Sequence, residues 1–253
     1  MQFLNANRKV IRLPTLAFVA LAFPALLPAE LTTKLSSESV RAFDDYIKAA
    51  EVQFDWRSHI ALDKEGVTII PGGLNPSIQL PGAIIHDWLA AVVARNTTVE
   101  QVLAVLQSYC DYKRIYASQI SESTVYSHDD NRWKIYLKLY RKAIIRANFA
   151  TEYEVEYRRL SKGRWAMLSH STKVAEMDGD RVLPEGIGHG YLWRLNAYWL
   201  LEQRPQGVYI ECRAISMSRD IPAALRWAIR PMITSVPRRS LQDTIEATVR
   251  ALR

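Results

Sequence analysis

Few side chains in this sequence are spaced for chemistry. The chain has five histidines and two cysteines, and it contains no GxSxG, HExxH or glycine-rich phosphate-binding motif. Cys110 and Cys212 match no metal-ligand spacing. Two small buried apolar residues are the simplest interpretation of them, and a disulfide is the alternative. The sequence therefore predicts no metal, no cofactor and no catalytic residue.

His170 is the histidine that the strand registers described below place on a buried inner face. As a general acid or base it would need a carboxylate within hydrogen-bond reach, and no acid is predicted to share its face. His86 and Asp87 cannot form a dyad, because neighbouring residues in a strand point to opposite faces. The hypotheses for His170 are a structural role, a hydrogen bond to a ligand, and catalysis.

The composition indicates a globular protein without a nucleic-acid partner. Hydrophobic residues make up 49% of the chain and charged residues 23%, which is ordinary for a folded domain. The formal net charge is +7, but three basic residues fall in an acid-free N-terminal segment, and the rest has 30 basic residues against 26 acidic ones. No block of Lys and Arg interleaved with aromatic residues stands out, so nucleic acid is not an expected partner.

The first 29 residues have the pattern of an export signal. Arg8, Lys9 and Arg12 precede an apolar run over 13–29, and a polar stretch follows it. Prolines within the run disfavour an undistorted membrane-spanning helix. We expect a signal peptide cleaved near Ala29 and a periplasmic or extracellular protein. An uncleaved membrane anchor and a soluble terminus are the alternatives.

Periodicity divides the region after the leader into a helix and a linker. Apolar residues at helical spacing predict an amphipathic helix over 35–53. A short strand is predicted over 66–70, and the turn formers of 71–82 indicate a linker. Residues 30–82 are therefore predicted to be an N-terminal helix and linker, and residues 83–253 the main domain.

The main domain opens with a strand and a helix. The β-branched residues of 84–93 predict a mostly buried strand. Thr97 and Glu100 match a capping box at the start of a helix, whose apolar residues over 99–106 line one face. A short helix or turn is predicted over 109–116.

Alternating apolar and polar residues then predict two antiparallel strands. From Trp133 to Leu139 and from Ile145 to Tyr157 every second residue is apolar or aromatic, with Thr151 as the exception, so each strand has one buried face. Both buried sets occupy odd positions, which requires a bulge or an odd-numbered loop near Lys142.

The Lys162-Gly163 turn leaves two registers open for the next hairpin. A loop one residue longer than a two-residue turn places Trp165 and Met167 on the inner face. The two-residue turn is the prediction, and the inner face then carries Leu168, His170, Thr172 and Val174. The glycine-rich stretch 179–190 is predicted to be a loop that acts as a rim or gate.

A last hairpin and two helices complete the predicted domain. A tight turn at 204–207 pairs Trp199 with Cys212. The inner face of this hairpin is predicted to carry Trp193, Leu195 and Trp199. Pro231 and Pro237 predict that the final segment is two helices, of which the second is amphipathic.

This order of elements, from first strand to long C-terminal helix, resembles the START-like superfamily, also called SRPBCC or helix-grip. The most specific local similarity is Ala91–Tyr112 (AVVARNTTVEQVLAVLQSYCDY), which resembles the family's first strand, turn, helix and following aromatic residue. The C-terminal amphipathic helix is also similar. Over residues 83–253 the resemblance implies an α+β fold, in which a curved antiparallel sheet wraps around the C-terminal helix, with an N-terminal helical extension.

The resemblance also implies a ligand-binding cavity between the sheet and the last helix. The expected partner is a hydrophobic small molecule or lipid, with peripheral membrane contact as a further expectation. The expected function is an exported protein that binds or carries this molecule. A cyclase- or hydrolase-like enzyme and a protein-interaction module are the alternatives. The residues expected to line the cavity are Trp88, Trp133, Phe149, Tyr153, His170, Trp193 and Trp199.

Overall fold

The computed structural model describes residues 32–53, 60, 62, 66–142, 146–220 and 226–253. The predicted leader and the middle of the loop after Lys142 lie outside these residues. The helices are α1 (Ser37–Gln53), α2 (Val99–Gln107), α3 (Tyr112–Ile115) and α4 (Arg226–Ala251), with a 3₁₀ helix at Tyr109–Asp111. The strands are β1 (Thr33–Lys34), β2 (Thr68–Pro71), β3 (Ser77–Leu80), β4 (Ala83–Arg95), β5 (Ile120–Asp129), β6 (Arg132–Lys142), β7 (Arg146–Ser161), β8 (Arg164–Asp178), β9 (Arg181–Val182), β10 (Ile187–Gly188), β11 (Arg194–Arg204) and β12 (Gly207–Arg219).

Ten of the described strands form one antiparallel sheet. Its order is β2-β4-β12-β11-β8-β7-β6-β5, with β3 also paired to β4 and β9 to β8. The segment predicted to be a linker therefore contains a strand of this sheet, β3. The segment predicted to be a rim contains β10, which pairs with β1 in a separate two-stranded sheet. The predicted curved sheet and long C-terminal helix are confirmed.

The two faces of the sheet are covered by different helices. Leu241 and Ile245 of α4 are buried in one cluster with Val102 and Leu106 of α2. We name this side the inner face. On the other side, the outer face, the buried apolar residues of α1 are Phe43, Ile47 and Ala50. Both amphipathic helices lie where their apolar periodicity predicts, with the apolar side against the sheet.

An ion pair with almost no exposure joins α1 to the outer face. The Asp87 carboxylate is fully buried and accepts hydrogen bonds from Arg213 Nε at 3.0 Å and Arg213 Nη2 at 2.6 Å. The Tyr46 hydroxyl of α1 donates to the same carboxylate at 2.6 Å. A buried carboxylate requires such partners, because an unpaired charge is costly away from water.

The capping box of α2 lies one residue later than the sequence predicts. The Gln101 N–H donates to Thr98 Oγ1 at 3.4 Å, and Gln101 Oε1 accepts the Thr98 N–H at 2.9 Å. Thr97 instead donates its hydroxyl to the Arg95 carbonyl at 3.0 Å. The motif keeps its chemistry, because Gln serves as well as Glu at the third helical position.

The last segment is one helix, so the prediction of two helices is wrong. Helix α4 continues through both Pro231 and Pro237. A proline removes one backbone donor and bends a helix, but the hydrogen bonds on either side of it can continue. Burial of Leu241 and Ile245 against the sheet stabilises the helix beyond the prolines.

The predicted register of the hairpin between β7 and β8 is wrong, and the alternative register is confirmed. A bulge next to the turn adds one residue to β7, and Trp165 and Met167 belong to the inner cluster. Leu168 packs with the outer cluster. Thr172, at a second bulge, is exposed. Because side chains alternate along a strand, a shift of one residue also turns His170 to the outer face.

Candidate ligand-binding site

A row of small residues crosses the inner face of the sheet between two tryptophans. Cross-strand pairing places Ala214 of β12 beside Ala197 of β11, and Ala197 beside Ser169 of β8. The tryptophans stand at the two ends of the row, on β4 and β6. In strand order the row is Trp88, Ala214, Ala197, Ser169, Val155 and Trp133.

The neighbouring row has the same form. Ser216 of β12 lies between His86 of β4 and Leu195 of β11. Tyr153 of β7 is paired with Ser171 of β8. The small residues of these two rows, together with the aromatic residues beside them, form a region that we call the inner hollow. Its residues are Ala197, Ala214, Ser169, Ser216, Trp88, Trp133 and Tyr153.

On the side of the first row that faces away from Ser216, the next row of the sheet carries large side chains, and we call it the filled row. Trp199 of β11 pairs with Cys212 of β12 and with Met167 of β8, and Met167 pairs with Tyr157 of β7. All four residues are buried. The Tyr157 hydroxyl donates to the carbonyl of Leu106 in α2 at 2.9 Å, so this row is packed against α2.

Contacts along α4 show which part of this helix lies near the inner hollow. Near its C-terminal end, the Thr248 hydroxyl lies 3.0 Å from the buried Tyr116 hydroxyl. Further toward the N-terminus, the Arg238 guanidinium lies 6.0 Å from the centroid of the Trp88 ring, within the range of a cation–π contact. The inner hollow therefore lies toward the N-terminal half of α4.

Residues of the inner hollow keep accessible surface that the filled row lacks. Ala197, Ala214 and Trp88 are only half-buried, whereas Trp199 is 4% exposed and Cys212 1% exposed. Ala197 and Ala214 belong to central strands, and they point to the face that α4 covers. Since protein interiors are normally close-packed, accessible alanines at this place indicate unfilled space.

Three residues of the inner hollow carry buried polar atoms without partners. Within the described part of the chain, Trp88 Nε1, Trp133 Nε1, Tyr153 Oη and Ser123 Oγ are buried and have no hydrogen-bond partner. Such atoms are rare, because most buried polar groups in native proteins are hydrogen-bonded. Burial raises the pKa of Tyr153 to about 12, so its hydroxyl is protonated at neutral pH. These atoms are expected of a site that obtains hydrogen bonds from a ligand.

His86, and not His170, lies beside the floor of the inner hollow, while His128 stacks on Trp133 with ring centroids 3.6 Å apart. The Nε2 of His86 lies 3.1 Å from Ser218 Oγ and its Nδ1 lies 3.3 Å from Ser77 Oγ. Burial lowers the pKa of His86 to about 4, so the ring is neutral at pH 7. Sequence reasoning missed this residue, although strand alternation places it on the same face as Trp88.

Five of the seven predicted lining residues lie on the inner face. Phe149 is buried on the inner face opposite Leu139, nearer the start of β7 than Tyr153. Trp199 belongs to the filled row. Those that border the inner hollow are Trp88, Trp133 and Tyr153.

The predicted inward placement of Trp193 and His170 is wrong. Trp193 precedes the first residue of β11, so the alternation that places Leu195 inward does not extend to it, and it packs in the outer cluster. His170 Nε2 lies 2.7 Å from Glu51 Oε1 of α1, which also accepts the Tyr198 hydroxyl at 2.7 Å. The carboxylate partner that His170 lacked in the sequence prediction therefore comes from α1, and the cluster holds α1 on the outer face.

A separate open depression of about 950 Å³ lies at the C-terminal end of α4. Its wall combines residues from the end of β4 with the last turns of α4, including Arg95, Glu246 and Arg250. None of the seven predicted lining residues borders it. Its charged rim is unlike the neutral, aromatic border of the inner hollow.

The described residues contain no group of three or more His, Cys, Asp or Glu that could hold a metal ion. In the same part of the chain, no helix has the length and hydropathy needed to cross a membrane. Cys110 is exposed and Cys212 is buried, and both are free thiols. The interpretation as buried apolar residues therefore fits Cys212 alone.

The fold is START-like, the helix-grip fold expected from the sequence. The structure is similar to that of human STARD10, with a TM-score of 0.51 and 11% identity over 85% of this chain and 82% of that chain. It is also similar to a STAR-related lipid transfer protein from Xanthomonas axonopodis (TM-score 0.46, 15% identity, 75% and 97% covered). The Zhui aromatase/cyclase from Streptomyces sp. R1128 is a third similar structure (TM-score 0.47, 10% identity, 66% and 93% covered).

Sequence comparison adds no closer relationship. No protein-family model matches the chain, and no curated protein matches it in sequence. At identities this low, structural similarity establishes the fold alone, and one fold supports many functions. The function must therefore be argued from the inner hollow itself.

Proposed function

We propose that this protein binds and carries an apolar, lipid-like molecule in the inner hollow. The observation that carries the proposal is the accessible surface of Ala197 and Ala214 on central strands of the helix-covered face. Large aromatic side chains stand on both sides of these small residues, which is the usual lining of a small-molecule site. The names of the similar START structures, which include lipid transfer proteins, support the same class of ligand.

The expected energy is sufficient for useful affinity without catalysis. A ligand that hides roughly 400 Å² of apolar surface gains on the order of 10 kcal/mol from removal of that surface from water. Association then costs several kcal/mol through lost translational and rotational freedom. At the low end of that cost, about 4 kcal/mol, the remaining 6 kcal/mol or so corresponds to a Kd of roughly tens of micromolar.

The test blocks the inner hollow and measures binding. Ala214→Phe places a ring on the floor beside Trp88, so we expect it to weaken binding of the neutral dye Nile red at least tenfold. Ala49→Phe, on the exposed side of α1, is the matched control and should bind like the unaltered protein. Native mass spectrometry of protein from its own compartment should detect a co-purifying apolar molecule. Equal binding by Ala214→Phe and the unaltered protein would exclude this site.

A hydrolase is the second candidate, and the contact between His86 and Ser218 favours it. A serine nucleophile needs a base within hydrogen-bond reach, and Ser218 Oγ lies 3.1 Å from His86 Nε2. However, Nδ1 of His86 faces the Ser77 hydroxyl in place of a carboxylate. Burial also lowers the pKa of His86 to about 4, which makes the imidazole a weak base. Binding is therefore the better-supported function.

A fluorophosphonate probe distinguishes the two candidates. Labelling of Ser218 that disappears in His86→Gln would establish an activated serine, and peptide mass spectrometry would locate the label. We expect no labelling, because the base is weak.

Export is a separate part of the proposal, supported by the leader sequence alone. We expect the mature protein to begin near residue 30 and to be recovered from the periplasmic or extracellular fraction, with peripheral membrane contact during ligand exchange. Cell fractionation and mass measurement of the intact mature chain test this. A chain that keeps its first 29 residues in the soluble cell interior would contradict it.

A further inference from the structure

The polar atoms that face the inner hollow are mostly hydrogen-bond donors. The indole Nε1 of Trp88 and of Trp133 can donate and cannot accept, and neither has a partner among the described residues. The Tyr153 hydroxyl is equally unpartnered and can donate as well as accept. An unsatisfied buried donor is destabilising, so a bound molecule gains affinity by offering acceptors at these positions.

The same border presents no formal charge. The floor residues are alanines and serines, and its aromatic residues are tryptophan and a tyrosine that is protonated at neutral pH. His86, behind Ser216, is neutral, and both of its ring nitrogens face serine hydroxyls. A carboxylate or an ammonium group in this space would therefore be buried without a counter-charge, which is strongly unfavourable.

Other hydroxyls of this face are already satisfied. The Thr151 hydroxyl donates to the Leu137 carbonyl at 2.7 Å, and Ser171 Oγ accepts the Leu195 N–H at 3.0 Å. Among the residues of the inner hollow, the buried polar atoms that lack a partner are those of Trp88, Trp133 and Tyr153.

We infer that the ligand is an uncharged molecule with an apolar body and oxygen acceptors, such as ester or ketone carbonyls, which receive hydrogen bonds from Trp88, Trp133 and Tyr153. This inference rests on the proposed function and specifies the ligand class. The apolar body lies over Ala197 and Ala214. The acceptors lie at the aromatic sides, where the buried atoms without a partner are.

Arg238 is a cation at this border, and its contact with Trp88 defines the competing outcome. Its side chain is exposed, and its guanidinium faces the Trp88 ring. An anionic headgroup held by Arg238 at the mouth would favour a fatty acid over a neutral ester or ketone. The experiment must therefore compare neutral and anionic molecules of matched length.

The experiment measures displacement of Nile red by 2-tridecanone, dodecanoate and tridecane. We expect the ketone to displace the dye at a concentration at least about fivefold lower than tridecane or dodecanoate, since one hydrogen bond contributes about that factor. In Tyr153→Phe the advantage of the ketone over tridecane should fall about fivefold, with tridecane unchanged. Trp88→Phe should have the same effect for a carbonyl bound at the opposite side of the hollow. Tyr126→Phe, at an exposed tyrosine, is the control and should keep the full advantage.

Tyr153→Phe removes a single oxygen, so it keeps the test decisive if Trp88→Phe does not fold. Equal displacement by ketone and tridecane would overturn the inference. Tightest binding of dodecanoate, lost in Arg238→Gln, would replace it with an anion site. Failure of the proposed function has a different signature: Nile red does not bind, or it binds equally well to Ala214→Phe.

Discussion

Two alanines on the inner face should respond in opposite directions to the same substitution. Ala90 lies in the filled row, is fully buried and pairs with Cys212. Ala197 lies on the floor of the inner hollow and is half-buried. Both are strand residues on the same side of the same sheet. Replacement of each by leucine therefore isolates the effect of the space above the residue.

The expected magnitudes follow from added volume. Leucine adds three carbons, which at about 0.8 kcal/mol for each buried carbon would contribute up to roughly 2.4 kcal/mol. Partial exposure and loss of rotamer freedom, about 0.5–1 kcal/mol, reduce this to a gain of about 1 kcal/mol for Ala197→Leu. Ala90→Leu forces extra carbons into a packed row, and overpacking costs about 1–3 kcal/mol. The two variants should differ by about 2–4 kcal/mol.

Urea denaturation followed by tryptophan fluorescence measures the difference. Protein should first be extracted with organic solvent and refolded, because a bound apolar molecule would stabilise the unaltered chain and conceal the gain from Ala197→Leu. A similar loss of stability in both variants would refute the reasoning, since it would show that the space above Ala197 is as tightly packed as the space above Ala90.

Three further comparisons use groups with defined partners. Tyr153→Phe should leave the free energy of unfolding unchanged or raise it, because its hydroxyl is unpartnered, whereas Tyr157→Phe should lower it by about 1 kcal/mol through lost hydrogen bonds. Arg213→Met should lower it by about 3–5 kcal/mol, because Asp87 stays buried without its counter-charge. Between pH 6.5 and 4 the unfolded imidazole of His86 binds a proton that the folded one does not. As the pH is lowered from 6.5 to 4, the free energy of unfolding should therefore decrease, by about 3 kcal/mol more in the unaltered protein than in His86→Gln.

Each comparison, measured by urea denaturation, has an outcome that contradicts its premise. Equal losses in Tyr153→Phe and Tyr157→Phe would show that both hydroxyls are hydrogen-bonded in the folded protein. A loss below about 1 kcal/mol in Arg213→Met would show that Asp87 is hydrated. Parallel pH profiles for His86→Gln and the unaltered protein would show that the folded imidazole takes up its proton as readily as the unfolded one.

Local patterns were sufficient to predict the registers of two hairpins. The turn at 204–207 places Trp199 opposite Cys212, and that pairing is confirmed. The odd positions of the buried residues in β6 and β7 required an odd-numbered loop, and the pairing of Lys142 with Arg146 confirms it. Both results depend only on the chain between paired residues, where alternation and loop parity decide which face each side chain takes.

Local patterns failed where tertiary packing selects a bulge. Both registers of the hairpin between β7 and β8 give plausible alternation near His170. The observed one packs Leu168 under α1 and places Met167 in the filled row. That choice depends on helices distant in sequence, so the turn residues cannot reveal it. The same reasoning applies to Trp193, whose outer placement depends on the path of the chain before β11.

The floor of the inner hollow is harder still to predict. Ala197 and Ala214 face each other across a hairpin that the sequence predicts, but Ser169 joins their row only through the pairing of β8 with β11. The long segment between those strands does not determine which residues of β8 pair with which residues of β11. Small residues on separate strands thus become one surface only in the assembled sheet, whereas the bulky aromatic residues at its border are conspicuous in the sequence.

The inner face therefore combines two opposed contributions to stability along α4. The filled row contributes close packing, while the inner hollow leaves space unfilled and donors unpartnered at Trp88, Trp133 and Tyr153, and each such donor costs about 1–3 kcal/mol. A ligand that fills the space and accepts these hydrogen bonds reverses both losses. Binding and folding are then linked, and a ligand at a hundred times its Kd adds about 2.7 kcal/mol to the stability of the protein. The arrangement that makes the ligand-free fold less stable is thus the one that makes it a container.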